Sequence, residues 1–344
     1  MKAKAIWIIP ALILIGLLLA FIFWPQPKPL SPLASYTPQL EGKLRTKIIT
    51  PISLDFSSAK TLKVSSPRYL VFNLDTAKVY LASNSAQKIA PASFTKLLTA
   101  QVALDLGFPD QLLTATKTSV DKVPTILGLK VGEQLTLSDL LRASIATSAN
   151  DAASTLAEAM ASQNGLNLVD YVELMNKKAS LLSMTNSHFS NPDGLDDPTQ
   201  YSTLEDLAKV VENVVKNYPE IVAAGASDRL DINISPTHGF YYLPNWNGLL
   251  GVYPGVTGLK IAYTENAGYS TIILLNKGNL HLALLLSGAD KLLNRDKDAG
   301  ILLDEALKEE KISPATITES QLKAHYKIWN DLSAKIRKEL GLTK

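Results

Sequence analysis

Short runs that are continuously apolar, or in which apolar and polar residues alternate, occur at both ends of the region from residue 68 to residue 286. On the N-terminal side they cover residues 68–74 and 78–81, with a polar turn between them. On the C-terminal side they cover residues 259–263, 268–275 and 280–286. Runs of this length that are separated by turn residues predict β-strands.

The chain between these two groups has helical spacing instead, with apolar residues every three or four positions and several alanine-rich stretches. The predicted helices cover residues 93–106, 152–161, 168–182 and 203–218, one more begins at residue 137, and a closing helix covers 296–309. This order predicts an α+β domain. An antiparallel sheet would be flanked by helices, and a helical subdomain would be inserted between two parts of the sheet.

The N-terminus has a third kind of pattern. Lys2 and Lys4 precede an uninterrupted apolar run from Ala5 to Trp24. A helix of 20 residues is long enough to cross a hydrocarbon core of about 30 Å. We therefore predict one transmembrane helix within residues 1–24, with the remaining chain outside the membrane. A cleaved signal peptide is the alternative.

Two segments flank the predicted domain, which we assign to residues 46–310. Residues 25–45 contain five prolines, which is typical of an extended linker. Residues 311–344 have apolar side chains at helical spacing, with many lysines between them, and predict an amphipathic helical tail. Such a helix either binds a membrane surface or a partner, or packs on its own domain or on another copy.

Composition excludes several kinds of site. The 344 residues include 34 basic and 32 acidic side chains, and this balance predicts no nucleic acid partner. Cysteine is absent, which excludes disulfides, thiolate metal sites and a cysteine nucleophile. The four histidines lie far apart, at positions 188, 238, 281 and 325, so the sequence predicts no metal and no other cofactor.

Candidate chemistry begins with Ser93 and Lys96, at the start of the first predicted helix. Residues three apart share one face of a helix, so the lysine amine can take the proton of the serine hydroxyl and make it a nucleophile. Spacing alone does not identify the pair, because Ser57 and Ser85 also have a lysine three residues later. The alternative is a helix-capping serine beside an exposed lysine.

Two later segments complete a known pattern. Penicillin-recognising serine enzymes combine S-x-x-K with S-x-N and K-[ST]-G. This chain has Ser148-Ala149-Asn150 and Lys260-Ile261-Ala262 in the corresponding order. The flanking residues extend the match, in the segments PASFTKLLTA (91–100), SANDAA (148–153), NPDGL (191–195), GLK (258–260) and AGY (267–269).

Together these segments closely resemble the D-alanyl-D-alanine carboxypeptidase family, the low-molecular-weight penicillin-binding proteins, over roughly residues 50–305. The resemblance implies a β-lactamase/transpeptidase-like fold and a serine peptidase. It also implies a peptidoglycan stem peptide ending in D-Ala-D-Ala as substrate and β-lactams as inhibitors. With the apolar run at residues 5–24, we expect a single-pass cell-membrane protein whose catalytic domain is extracytoplasmic.

The resemblance also implies a role for each of six residues. Ser93 is the nucleophile, Lys96 is the base, and Ser148 relays a proton to the leaving amine. Asn150 binds the substrate amide, and Lys260 binds the terminal carboxylate. The backbone N–H groups of Tyr263 and Ser93 form the oxyanion hole. The segment 191–194, Asn-Pro-Asp-Gly, is predicted to be a turn with a mainly structural role.

The third motif departs from the family, since Ile261 stands where a hydroxyl residue is expected and Ala262 where glycine is expected. In the family that hydroxyl holds the substrate carboxylate, and losing a hydrogen bond to a charged group costs about 1.5–3 kcal/mol. We predict an active carboxypeptidase; the alternative is a weakly active or inactive homologue that binds the cell wall. A β-lactamase is less favoured, because no glutamate between residues 150 and 260 has asparagine four residues later.

Overall fold

The computed structural model describes residues 51–339, and nine strands lie in this range. They are β1 (Arg68–Asn73), β2 (Val79–Ser83), β3 (Leu112–Thr114), β4 (Gln134–Thr136), β5 (Arg229–Ile232), β6 (Tyr241–Pro244), β7 (Val256–Ala262), β8 (Tyr269–Lys277) and β9 (Leu280–Ala289). Five of them form one sheet in the order β2-β1-β9-β8-β7. Every neighbouring pair in this sheet is antiparallel.

The hairpin between β8 and β9 sets the register at the centre of the sheet. Lys277 pairs with Leu280, so two residues form the loop, and Gly278 adopts a φ of +61° there. Four consecutive side chains of β8, from Ile272 to Leu275, are buried. The sheet is therefore covered on both faces, which explains why the sequence of β8 is continuously apolar rather than alternating.

Nine α-helices lie within the same residues. They are α1 (Thr95–Leu106), α2 (Lys117–Val120), α3 (Leu137–Ala146), α4 (Asn150–Gln163), α5 (Leu168–Leu181), α6 (Leu204–Asn217), α7 (Pro219–Ala226), α8 (Leu292–Glu309) and α9 (Glu319–Glu339). Helix α8 packs on one face of the sheet, where Leu302 and Leu303 share a core with Ile273 and Leu284. Helices α6 and α7 contact β1, β9 and β7 and belong to the helical part of the domain.

The predicted strands and long helices all occur, with ends displaced by a few residues. Helix α7 and the two small sheets, β3-β4 and β5-β6, were not predicted. The tail forms helix α9, which packs on its own domain through Leu322 and Trp329. The ring of Trp329 meets that of Trp246 edge-on, at 5.3 Å between centroids.

The transmembrane segment predicted within residues 1–24 and the linker predicted at 25–45 lie outside the described residues. Within residues 51–339, no helix combines the length and the apolar character that a membrane crossing requires.

Candidate active site

Ser93 lies in a short 3₁₀ turn, Ala92–Phe94, that leads directly into helix α1. Lys96 follows in the first turn of that helix, and its Nζ lies 2.8 Å from the Oγ of Ser93. Lys96 is fully buried, so the alternative of a capping serine beside an exposed lysine is wrong. The pair has the geometry that proton transfer from hydroxyl to amine requires.

The amine of Lys96 has two further partners from distant parts of the chain. It lies 2.7 Å from Oδ1 of Asn150, the first residue of α4, and it contacts the backbone carbonyl of Asp193. Asn150 is fixed in turn, because its Nδ2 donates to the carbonyl of Val123 at 2.9 Å. The amine therefore has one defined position, facing the serine.

A second serine–lysine pair lies at the same cleft. Lys260 is on β7, at the edge of the sheet, and its Nζ donates to Oγ of Ser148 at 2.7 Å. The same amine donates to the carbonyl of Ile261 at 2.8 Å. Ser148 precedes α4 and has a φ of +64°, in the left-handed region. The turn that carries Ser93 also contacts β7, so the sheet and the helical part meet here.

Burial changes the acid–base properties of both lysines. Loss of solvation lowers the pKa of Lys96 to about 8. The negative charges of Asp193 and Asp151 raise this pKa in part, and the positive charge of Lys122 lowers it further. At pH 7 about one tenth of the Lys96 amine is then neutral. Burial, aided by the charges of Lys96 and Arg295, also holds the pKa of Lys260 well below its usual value.

The turn at residues 191–194 is part of the wall around Lys96. Gly194 has a φ of +80°, and a Cβ there would lie 1.9 Å from the carbonyl oxygen of Ala92. Glycine thus lets the turn lie against the backbone of Ala92 and Ser93. The carboxylate of Asp193 receives a hydrogen bond from Ser154 at 3.0 Å and pairs with Lys122 at 3.2 Å. The predicted turn is confirmed, but sequence reasoning missed the contact of Asp193 with Lys96.

Asp151 is a second residue that sequence reasoning missed. Its buried carboxylate accepts the backbone N–H groups of Leu127, Gly128 and Leu129 at 2.8–3.0 Å. These bonds fix the loop that includes Val123, the residue whose carbonyl holds Asn150. An acidic residue directly after S-x-N was the available signal, because a carboxylate at the start of a helix can also bind a neighbouring loop.

The other two S-x-x-K matches have no such environment. Lys60 is exposed and pairs with Glu309, while Lys88 lies over the ring of Tyr201 at 3.8 Å from its centroid. The hydroxyl of Ser85 donates to Glu205 at 2.7 Å. Within residues 51–339, neither lysine forms a hydrogen bond with its own serine, in contrast to Lys96.

Comparisons with known proteins agree with this geometry. A family model described as D-alanyl-D-alanine carboxypeptidase matches residues 55–291. The chain belongs to this family. It is 29% identical over 245 residues to D-alanyl-D-alanine carboxypeptidase DacF of Bacillus subtilis, covering 70% of this chain and 61% of DacF. It is 30% identical over 253 residues to D-alanyl-D-alanine carboxypeptidase DacD of Escherichia coli, and the match covers 70% of this chain and 63% of DacD. The chain thus spans about three fifths of the length of these relatives.

Solved structures show the same fold. Penicillin-binding protein 5 of Haemophilus influenzae is 26% identical, with a TM-score of 0.63 and 71% of each chain covered. The Streptomyces K15 DD-transpeptidase is 23% identical, with a TM-score of 0.67 over 72% of this chain and 99% of that one. The carboxypeptidase-family domain described above therefore has a transpeptidase-like α+β fold.

The third motif is where this family member departs from the pattern. Ile261 is partly exposed beside Lys260, and Ala262 is buried at the end of β7. Tyr263 follows the strand and is 53% exposed to solvent. The centroid of its ring lies 4.4 Å from that of Tyr269. Five of the six predicted residues thus form one buried cluster, while the side chain of Tyr263 lies outside it.

Proposed function

We propose that this chain is a serine-type D-alanyl-D-alanine carboxypeptidase that acts on peptidoglycan stem peptides through an acyl-enzyme on Ser93. One observation carries the proposal. The buried amine of Lys96 lies 2.8 Å from the Oγ of Ser93 and has a pKa of about 8. A lysine in this state is a competent general base at neutral pH.

In acylation, neutral Lys96 takes the hydroxyl proton of Ser93 while Oγ attacks the carbonyl carbon of the penultimate D-alanine. The negative charge that develops on the carbonyl oxygen is stabilised by the backbone N–H groups of Ser93 and Tyr263, an arrangement that contributes several kcal/mol when both donors point at the oxyanion. Asn150 binds the amide of the substrate, so the peptide is held across the cleft.

The C–N bond then breaks, and the leaving amine needs a proton. Ser148 supplies it and is reprotonated through the amine of Lys260, which lies 2.7 Å from its Oγ, by the proton that Lys96 took from Ser93, so Lys96 is neutral again. Terminal D-alanine departs and the rest of the peptide remains as an ester on Ser93. Hydrolysis reverses the roles: Lys96 takes a proton from water, the hydroxide attacks the ester, and Ser93 regains its proton.

A weakly active or inactive wall-binding homologue is the second candidate, and it is favoured by the sequence Lys260-Ile261-Ala262. The hydroxyl that holds the substrate carboxylate in the family is absent, and Lys260 already donates to Ser148 and to the carbonyl of Ile261. The loss corresponds to about 1.5–3 kcal/mol, or a tenfold to hundredfold weaker interaction with the carboxylate.

A single pair of assays separates the two candidates. A fluorescent penicillin is incubated with the full chain, and release of D-alanine from a synthetic pentapeptide ending in D-Ala-D-Ala is measured in parallel. Covalent labelling together with D-alanine release supports the carboxypeptidase. Binding of peptidoglycan without labelling and without release supports the wall-binding homologue.

We also propose that residues 5–24 anchor the protein in the cell membrane, with the catalytic domain on the extracytoplasmic side, where peptidoglycan is found. The apolar run and the two lysines that precede it support this proposal. Fractionation of cells that express the full chain, followed by protease treatment of intact spheroplasts, tests it. A protein that remains in the soluble fraction, or one protected from external protease, would contradict it.

A further inference from the structure

Helix α8 begins with a buried positive charge that the reaction proposed above does not use. Arg295 lies near the start of α8 and is only 2% exposed. It also lies beyond residues 55–291, which the family model matches. A guanidinium stays charged in proteins, and a buried charge is tolerated where it is paired and hydrogen-bonded. The partners of Arg295 therefore show what this charge is fixed to.

Arg295 forms a two-point ion pair with its neighbour Asp296, whose carboxylate is fully buried. Nε lies 2.7 Å from Oδ1, and Nη2 lies 3.0 Å from Oδ2. Nη2 also donates to the backbone carbonyl of Trp246 at 2.6 Å, in the loop that follows β6. Bidentate contacts restrict the direction of a guanidinium, so the ion pair connects α8 to this loop in one orientation.

Helix α9 covers this ion pair. The hydroxyl of Tyr326 donates to Oδ2 of Asp296 at 2.6 Å. The ring of Trp329, whose centroid lies 5.3 Å from that of Tyr326, also meets Trp246 edge-on. A Cβ on Gly248, in the same loop, would overlap Oδ2 of Asp296 and lie 3.0 Å from Cε1 of Tyr326. Helix α8, helix α9 and the loop after β6 therefore meet at one carboxylate, and α9 supplies one of its hydrogen bonds.

The ion pair lies toward the end of the sheet that carries the cleft. Strand β7 ends at Ala262, two residues after Lys260, and β9 ends at Ala289. Both ends lie at the same edge of the sheet, because β8 is antiparallel to each strand and begins there. Helix α8 follows β9 after two residues, which brings Arg295 toward Lys260. The positive charge of Arg295 helps to lower the pKa of Lys260, so the two cations lie close enough to interact.

The loop after β6 is also tied to β7 through helix α7. Asn245, which precedes Trp246, donates through Nδ2 to the carbonyl of Gly225 at 3.2 Å. A Cβ on Gly225 would lie 2.5 Å from the carbonyl oxygen of Leu259, the residue before Lys260. A displacement of this loop would therefore reach the backbone of β7 beside the cleft.

We propose that Tyr326 is a positioning residue of the active site. It holds the Asp296–Arg295 pair in place, and the pair in turn fixes Lys260 for recognition of the substrate's terminal carboxylate. The inference rests on the proposed function, since that function gives Lys260 its ligand. The carboxylate of Asp296 balances the charge of Arg295, which would otherwise disfavour the charged form of Lys260 more strongly. Without the tyrosine hydroxyl the buried carboxylate lacks one donor, the pair is held less firmly, and Lys260 binds the substrate carboxylate less well.

Binding of two peptides to the full chain tests this inference. The probes are a synthetic pentapeptide ending in D-Ala-D-Ala and its C-terminal methyl ester, and both are titrated into Ser93→Ala, so that neither is consumed. The quantity measured is the ratio of the two dissociation constants, with and without Tyr326→Phe. This ratio isolates the carboxylate, whereas a general loss of structure would weaken the binding of both peptides alike.

The chain offers a matched control in Tyr253→Phe. The hydroxyl of Tyr253 also donates to a carboxylate of α8, that of Asp304, at 2.7 Å. Asp304 lies eight residues after Asp296, which is about 12 Å along the helix. The two variants therefore remove the same kind of tyrosine–aspartate hydrogen bond from the same helix, one near the cleft and one away from it.

In Tyr326→Phe the preference for the free carboxylate should fall about three- to tenfold, less than the tenfold to hundredfold that complete loss of a hydrogen bond to the carboxylate causes. The methyl ester should bind as it does to the parent, and Tyr253→Phe should keep the parental preference. An unchanged preference in Tyr326→Phe, equal weakening of both peptides, or an equal fall in both variants would overturn the inference. A parent chain with no preference would overturn it as well.

A double-mutant cycle tests the route through Asp296. If Tyr326 acts through this carboxylate, Tyr326→Phe should have no further effect on the ratio in an Asp296→Asn background. Additive effects of the two changes would contradict that route.

These outcomes are distinct from failure of the proposed function, which is measured as D-alanine release by the chain with Ser93 intact. A lower preference in Tyr326→Phe together with no release would support the positioning role and contradict the carboxypeptidase. Release of D-alanine with an unchanged preference would support the carboxypeptidase and contradict the positioning role.

Discussion

The two sides of the candidate active-site cleft differ in how completely they keep the family's motifs. On the helical side, Ser93, Lys96 and Asn150 are linked by distances of 2.7–2.8 Å around one buried amine. On the sheet side, Lys260 is equally buried and bonded to Ser148, but the next two residues have lost the hydroxyl and the glycine. The groups around the Lys96 amine thus keep the family pattern, and the two residues after Lys260 do not.

This difference teaches that acylation and recognition of the substrate end are separable in energy. Loss of a general base costs about 10²–10⁴-fold in rate. Loss of one hydrogen bond to a carboxylate costs about 1.5–3 kcal/mol, which is a tenfold to hundredfold effect. In the proposed carboxypeptidase the helical side therefore decides whether acylation occurs, and the sheet side decides how well a free C-terminus is distinguished.

The largest effect is expected from Ser93→Ala, which removes the hydroxyl that lies 2.8 Å from the Lys96 amine. Covalent labelling by fluorescent penicillin should disappear, while the thermal midpoint stays near that of the parent. Ser57→Ala is the matched control, because Ser57 is an exposed serine with the same spacing to a lysine. Residual labelling of Ser93→Ala at a rate near the parental one would place the nucleophile elsewhere.

Lys96→Met should come next. Acylation is expected to fall about 10²–10⁴-fold because the base is lost, and the remaining reaction should no longer depend on pH between 6 and 9. The measurement is the second-order rate constant of penicillin labelling across that range, on protein whose circular dichroism matches the parent. A variant that keeps a rising pH profile would show that another group accepts the proton.

Restoring the third motif tests the sheet side alone. In the double variant Ile261→Thr/Ala262→Gly, D-alanine release from a pentapeptide should rise about tenfold to hundredfold, since a hydroxyl again binds the carboxylate. An acyl donor without a free carboxylate, such as the corresponding peptide methyl ester, should react at an unchanged rate. A parallel rise for both substrates, or for neither, would show that the two sides of the cleft are not separable in this way.

The sequence predicted the local elements well and the contacts across the cleft only through the resemblance. The five sheet strands have apolar or alternating runs, helices α1 and α3–α6 have apolar or alanine-rich sequences at helical spacing, and all of them occur. Helix α7 has only eight residues, begins with Pro219 and is half alanine and glycine, so it is too short for its apolar spacing to be recognised. Among the described strands, β5 and β6 pair with each other alone, and half of β5 is exposed.

Asp193 marks the physical limit of the sequence-based prediction. Its segment has every local property of a turn, and it is one. Its function as a wall of the site comes from a contact between its carbonyl and an amine 97 residues away in the chain. Local propensities carry no information about such a contact. The same holds for Asp151, whose carboxylate acts on a loop more than twenty residues earlier.

The pH profile of the parent gives a smaller effect. Because the pKa of Lys96 is about 8, the neutral amine increases about five- to sixfold between pH 7 and pH 8 and levels off above pH 9. The rate of acylation should follow the same curve and fall about tenfold for each unit below pH 7. Acylation that is constant from pH 6 to pH 9 would mean that the amine is already neutral over the whole range.

Lys122→Met should have the smallest effect and should act through the base rather than on the substrate. Lys122 pairs with the buried carboxylate of Asp193 at 3.2 Å and is itself partly exposed, and its charge lowers the pKa of Lys96. Without it the pKa of Lys96 rises, so less neutral amine is present at pH 7. The interaction of a partly exposed charge such as Lys122 with the Lys96 amine is worth about 0.2–1 kcal/mol, which corresponds to a decrease of about 1.4- to 5-fold in the acylation rate at pH 7.

The sign of the change with pH distinguishes this explanation from a general loss of structure. In Lys122→Met the rate should approach the parental rate above pH 9, where Lys96 is neutral in both proteins, and the midpoint of the profile should move to higher pH. Lys117→Met, which removes an exposed lysine of helix α2, should leave the midpoint in place. A decrease that is uniform at all pH values would instead assign Lys122 to the binding of substrate on the helical side of the cleft.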